Sequence, residues 1–62
     1  MSKQIKKLRE ARGLTQVELA AKAGTTQAYI AALEKGSRKN PSLKLLGDLA
    51  KALKTNVAEL LG

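Results

Sequence analysis

The 62-residue chain carries twelve Lys and Arg against five Asp and Glu, a formal charge of +7, and contains neither Cys nor His. A chain this short holds one small domain over residues 1–62, with a marginal core and no disulfide, thiolate or imidazole metal site to brace it, so helix packing must supply the stability. The acids are scattered at Glu10, Glu18, Glu34, Asp48 and Glu59, which argues against an enzyme, while the basic balance favours a polyanionic partner such as nucleic acid or an anionic membrane surface.

Apolar residues recur at helical spacing almost throughout. Gly13, Gly24, Gly36 and the Asn40-Pro41 pair interrupt them, which predicts four or five short helices and no strand. The first helix is expected over 2–11, with Ile5 and Leu8 inward, Lys3, Lys6, Lys7 and Arg12 outward, and Gly13 at its end. The second begins at a capping box, Thr15 with Glu18 three residues on, and Leu14 and Leu19 flank the cap as a hydrophobic staple. Ala20 and Ala23 keep its buried side small, and Gly24 supplies the positive φ of a tight reversal.

Thr26 is the expected N-cap of a third helix running to Lys35, with Ile30 and Leu33 as its core stripe and Gln27, Ala28, Ala31 and Ala32 on its other faces. A basic loop, 37–40, follows. Pro41 and Ser42 then introduce a fourth helix over 43–54, whose expected buried stripe is Leu43, Leu46, Leu49, Ala50 and Leu53. Asn56 and Glu59 repeat the cap-plus-acid pattern for a final short helix carrying Val57, Leu60 and Leu61.

From Gln16 to Lys35 the chain resembles a helix-turn-helix, with Ala20 at the crossing, Gly24 in the turn and Ile30 in the core. Together with the GLTQVELA and LEKG stretches and the PSLKLLGDLAKAL run, these residues make essentially the whole chain similar to the Cro/C1-type (XRE) family, exemplified by phage lambda and 434 repressors and Cro. The resemblance implies an all-α, compact five-helix lambda-repressor-like domain with the helix-turn-helix at helices 2 and 3. It further implies sequence-specific binding of a double-stranded DNA operator by a bacterial or phage transcriptional regulator. In that mode the third helix enters the major groove and the start of the second meets a phosphate through Gln16.

By the same resemblance Gln27, Ala28 and Ala32 face bases, next to the Thr26 cap, and Gln27 suits a bidentate contact with adenine. The family's better-known members carry longer polar side chains where this chain has Ala28 and Ala32, so its direct base code is expected to be thin, leaving room for shape readout. Tyr29 has two expected roles, a hydroxyl on a phosphate or a ring packed at the junction of helices 2 and 3. Lys35, Arg38 and Lys39 are expected to clamp the backbone, with Ser37 and Asn40 adding neutral bonds. A buried pair between Arg9 and Glu34 is implied as a structural tie.

Family members bind as dimers on inverted half-sites about 10 bp apart. The contact is expected at Leu45, Val57, Ala58 and Leu61, of which Leu61 is the one most expected to close the monomer core instead. Lys3, Lys6, Lys7 and Arg12 also permit a membrane-surface reading of helix 1, but with Ile5 and Leu8 as its large apolar residues a long-range electrostatic role at the rim of the DNA site is preferred. No apolar run approaches the roughly 20 residues that span a bilayer and no signal peptide is visible, which points to a cytoplasmic location. No cofactor, metal or small-molecule ligand is expected.

The rival to the regulator is an antitoxin of the same fold that holds a toxin protein. Such proteins usually need an added partner-binding segment, and none follows the last helix in these 62 residues. A restriction-modification controller is a variant of the regulator. A repressor fragment, or a scaffold blunted by its alanines, would bind DNA through phosphates alone.

Overall fold

Five α-helices follow one another with no strand between them: α1 (Ser2–Ala11), α2 (Gln16–Ala23), α3 (Gln27–Lys35), α4 (Leu43–Ala52) and α5 (Val57–Leu61). The computed structural model describes all residues, 1–62, in a body of 23 × 23 × 19 Å. Each boundary has a local cause. At the start of α2 the Glu18 amide donates to Thr15 Oγ1 at 3.0 Å while the Thr15 amide donates to Glu18 Oε1 at 2.8 Å, closing the capping box. Thr26, Ser42 and Asn56 cap α3, α4 and α5 in the same way, each accepting the amide three residues on.

The end of α1 is a Schellman turn. The Gly13 amide donates to Glu10 O and the Leu14 amide to Arg9 O, with Gly13 at φ +68°. Gly24 and Gly36 close α2 and α3 in the same left-handed conformation. α4 repeats the hydrogen bonds of α1, with Lys54 N to Lys51 O at 3.1 Å and Thr55 N to Ala50 O at 2.8 Å, but the left-handed residue is Lys54, at φ +55°.

Those bonds correct the expected length of α4, which stops at Ala52 rather than Lys54. Leu53 becomes the cap and the chain reverses at once into the Asn56 cap of α5. A helical apolar stripe continues through a reversal that glycine does not announce, so the sequence overstates the helix.

The core gathers Ile5, Leu19, Ala20, Ala23, Ile30, Leu33, Leu49, Ala50, Leu53 and Leu60. α2 lies at its centre and packs on both α3 and α4, while α1 packs on α3 and α5. Buried Ala20 and Ala23 give α2 a small inner face, which lets its neighbours approach closely. Leu14 and Leu8 pack against this cluster while remaining half-buried.

Leu43 contradicts the expected stripe, being 80% exposed. Periodicity fixes its direction, but burial along α4 starts only with half-buried Leu45 and Leu46 and is complete at Leu49, so the first turn lies beyond the core. Closing the monomer core, expected of Leu61 more than of Leu45, falls to Leu45 instead. Leu61 is 57% exposed, whereas Leu45 is half-buried against the core.

Arg9 is the buried cation. Its Nε and Nη2 donate to Glu34 Oε2 and Oε1 at 2.6 and 3.1 Å, and its Nη1 donates to Leu14 O at 2.7 Å. The hydrogen bond to Glu34 raises the guanidinium pKa above its ordinary value, so α1 and α3 are tied by a pair that stays charged.

Candidate nucleic-acid interface

The outward side of α3 is defined by what its inward side buries. With Ile30 and Leu33 in the core, helical spacing turns Ala28, Ala31, Ala32 and Lys35 away from it, and Gln27 lies on the edge next to α2. Gln27, Ala28 and Lys35 are exposed, while Ala31 and Ala32 are half-buried. Ala31 therefore joins the presented surface, although it was not among the expected contact residues.

Thr26 is committed first to structure, its Oγ1 accepting the Tyr29 amide at 3.2 Å. Gln16 and Gln27 are linked to each other and to the buried pair. Gln16 Nε2 donates to Glu34 Oε1 at 3.1 Å, and Gln27 Nε2 donates to Gln16 Oε1 at 3.4 Å. A polar chain thus runs Arg9, Glu34, Gln16, Gln27, from the interior to the exposed start of α3.

This chain leaves the right atoms free. An amide has two donor hydrogens and one carbonyl oxygen, so Gln27 can spend one hydrogen on Gln16 and keep the other hydrogen and its oxygen for a bidentate contact. No buried polar side-chain atom in the molecule lacks a partner, so the chain is anchored at its inner end.

The loop after α3 is tied back to it. The amides of Ser37 and Arg38 both donate to Ala32 O, at 3.0 and 3.2 Å. The Arg38 guanidinium lies 5.4 Å from the centroid of the Tyr29 ring, within cation–π range. The Tyr29 ring itself is half-buried and packs against the core. Lys35, Ser37, Arg38 and Lys39 are exposed together, and Asn40 turns the chain at φ +55°.

A groove of about 350 Å³ runs beside this loop, lined by Arg38, Lys39 and Asn40 on one wall and Met1, Ser2 and Leu61 on another. α1 begins there without a side-chain cap, so its free amides add partial positive charge to that of the two cations. The loop and the start of α1 form one electropositive rim.

Arg12 is not part of the rim. Its Nε donates to Leu53 O at 2.9 Å and its Nη2 to Lys54 O at 3.2 Å, fastening the end of α1 to the end of α4. The carbonyls left free at a helix end attract a cation, a pull that helical spacing alone does not disclose. Lys3, Lys6 and Lys7 stay exposed on α1.

Among the expected dimer residues Leu61 and Ala58 are exposed, Val57 and Leu45 half-buried. The side chains contain no grouping able to hold a metal ion, and no helix is long and apolar enough to cross a membrane.

The family model described as Helix-turn-helix matches residues 5–60. The chain is 44% identical over 54 residues to an uncharacterized HTH-type transcriptional regulator, y4dJ, of Sinorhizobium fredii, covering 87% of this chain and 69% of the relative. It is 42% identical to the immunity repressor protein of Bacillus phage phi105, which matches the whole chain while the chain spans 42% of the repressor. Among solved structures, the biofilm master regulator SinR in complex with DNA superposes with a TM-score of 0.93 at 33% identity, over 98% of this chain and 97% of that one. The turn at Gly24, the presented α3 and these similarities agree: the chain belongs to the helix-turn-helix family, in its Cro/C1-type (XRE) branch of DNA-binding transcriptional regulators.

Proposed function

We propose that the chain binds a specific double-stranded operator in the bacterial or phage-infected cytoplasm, with α3 in the major groove and Gln27 reading adenine. The observation that carries this reading is the polar chain that holds Gln27 at the exposed start of α3 while leaving its second donor and its acceptor free. Ala28 and Ala32 contribute methyl contacts to thymine and no hydrogen bonds, so direct readout is confined to few positions and local DNA shape carries the rest. Lys35, Arg38 and Lys39, with Ser37 beside them, set register on the phosphates.

A body 23 Å across is smaller than one turn of DNA, about 34 Å, so two copies are needed to read two successive major grooves on one side of the duplex. We place the contact between copies at exposed Leu43, Ala58 and Leu61, with Val57 and Leu45 behind them. Gly47 supports this placement: it sits mid-helix one turn after Leu43, and a Cβ there would meet nothing within 4 Å in the monomer. Lys44 and Asp48 lie on one edge of the same helix, an order that pairs opposite charges when two copies of α4 run antiparallel.

A selection on random duplexes at about 150 mM salt tests the reading. Enrichment of an inverted repeat with adenine under Gln27, bound at least about a thousandfold above random DNA, supports it. Equal binding to every duplex with a steep salt slope would show recognition of phosphates alone.

A further inference from the structure

A second concave surface lies outside this interface. Its volume is about 180 Å³, its walls are Arg12, Lys22 and Lys54, and Leu14 and Ala52 supply apolar surface. No residue of α3 or of the loop after it contributes. We propose that this cleft, between the ends of α1 and α4 and the last turn of α2, binds a small phosphate-bearing anion.

Three cations surround the cleft and no carboxylate does. The ion pairs of the chain are Arg9 with Glu34 and Lys44 with Asp48, so none of the three is held in an ion pair, although the charge of Lys22 also acts on the Glu18 carboxyl. Glu18, one turn before Lys22, has its carboxylate turned back to the Thr15 amide. Three exposed like charges around one concavity give it a positive potential that draws an anion.

The donors are also held in place. Arg12 is fixed by its bonds to Leu53 O and Lys54 O, which leaves its Nη1 without a protein partner. A guanidinium already oriented loses little freedom when it binds an oxyanion.

Lys54 is the second indication. The left-handed positions ending α1, α2 and α3 are glycines, whereas α4 ends on a lysine in that conformation, at φ +55°. A Cβ in that conformation is strained, and the Lys54 side chain makes no hydrogen bond or ion pair in return. The placement is unfavourable for folding and adds a cation to the cleft.

The occupant follows from charge and size. A carboxylate would leave two of three cations unmatched, whereas a phosphomonoester brings close to two negative charges and three acceptor oxygens. The volume suits the phosphate and a few carbons of its ester, resting on Leu14 and Ala52. A free phosphate ion shares the chemistry and lacks the apolar contact.

Amide and arginine side-chain NMR with inorganic phosphate, ribose 5-phosphate and ribose, each against sodium chloride at equal ionic strength, tests the site. Ribose 5-phosphate is expected to shift Arg12 Nε–H and the amides of Leu14, Lys22 and Lys54, with a dissociation constant on the order of 1 mM. Inorganic phosphate should act more weakly and ribose not at all. Lys22→Gln and Lys54→Gly should each weaken binding about tenfold, with exposed Lys51→Gln, which lines no part of the cleft, as the unaffected control.

Lys54→Gly separates binding from folding, because it should also raise the thermal midpoint by about 2–5 °C as the left-handed strain is relieved. Shifts reproduced by chloride, or centred on residues 37–40, overturn the proposal. So does unchanged affinity in both variants, or a short DNA duplex that perturbs the three cations more than ribose 5-phosphate does. These measurements contain no operator and stand apart from the DNA reading.

Discussion

At the scale of single residues, the recognition surface rests on one amide and one ring. Gln27 is the hydrogen-bonding side chain on a presented face otherwise built from alanines until Lys35, so Gln27→Ala should remove most of the direct code. We expect affinity for the selected site to fall by about 1 to 3 kcal/mol per half-site, with affinity for random DNA unchanged; competition binding against both duplexes measures the two quantities. Tyr29 poses a finer question, because its ring holds Arg38 while its hydroxyl makes no hydrogen bond in the protein. If the ring acts by orienting Arg38, Tyr29→Phe should bind DNA as the parent does and Tyr29→Leu should lose about 0.5–1 kcal/mol. Equal losses in the two variants would transfer the role to the hydroxyl.

At the scale of elements, the chain of bonds from Arg9 to Gln27 makes helix docking and base presentation one problem. A domain of this size has a total stability of about 3–9 kcal/mol. Breaking a buried ion pair by removing one partner costs about 3–5 kcal/mol, so Glu34→Leu should remove a large share of that stability. Replacing both members, Arg9→Met with Glu34→Leu, should restore most of the lost stability in denaturant titrations. Gln16 then has no carboxylate to hold it, and the folded double variant should lose discrimination at the adenine of Gln27 while keeping phosphate binding. The start of α2 adds a pH dependence, because the Thr15 amide, and next the Thr15 hydroxyl, hold the Glu18 carboxyl below its ordinary pKa. A depressed native pKa contributes stability that is present above the unfolded value and is lost as pH falls through the native one. Melting curves of the parent and Glu18→Gln should therefore differ near neutrality and converge on acidification. Legibility also divides by element: caps were readable because Thr15, Thr26, Ser42 and Asn56 act on amides three residues away, and Gly13, Gly24 and Gly36 marked their reversals. The tie between Arg9 and Glu34 was legible through family resemblance. The end of α4 was not, since lysine stands where glycine would have signalled the turn, and the long-range bonds of Arg12 leave no local trace. Leu43 is exposed although its spacing points inward, because periodicity gives a direction and not the extent of the neighbouring helices.

At the scale of the molecule, the excess of cations is distributed over several surfaces, and salt dependence distinguishes the ones that touch DNA. Each phosphate neutralised on B-DNA contributes about 0.9 to the slope of log affinity against log salt. Lys35, Arg38 and Lys39 therefore predict a slope near −3 for one bound copy and near −5 for two bound together. The observed slope on the selected operator thus reports how many copies bind, without a separate assay of the free protein. Lys39→Gln should make the slope shallower by about one for each copy and lower affinity for every duplex alike, because a phosphate contact carries no sequence information. Lys54→Gln removes the same formal charge from a place that lines no part of the loop, and should leave the slope nearly unchanged. Leu43→Ser tests the remaining link: it touches neither the core nor the cationic loop, so folding and per-copy phosphate contacts should persist while the slope on the operator drops from the two-copy to the one-copy value. A two-copy slope retained in that variant would place the contact between copies elsewhere, or make the pairing on DNA independent of α4.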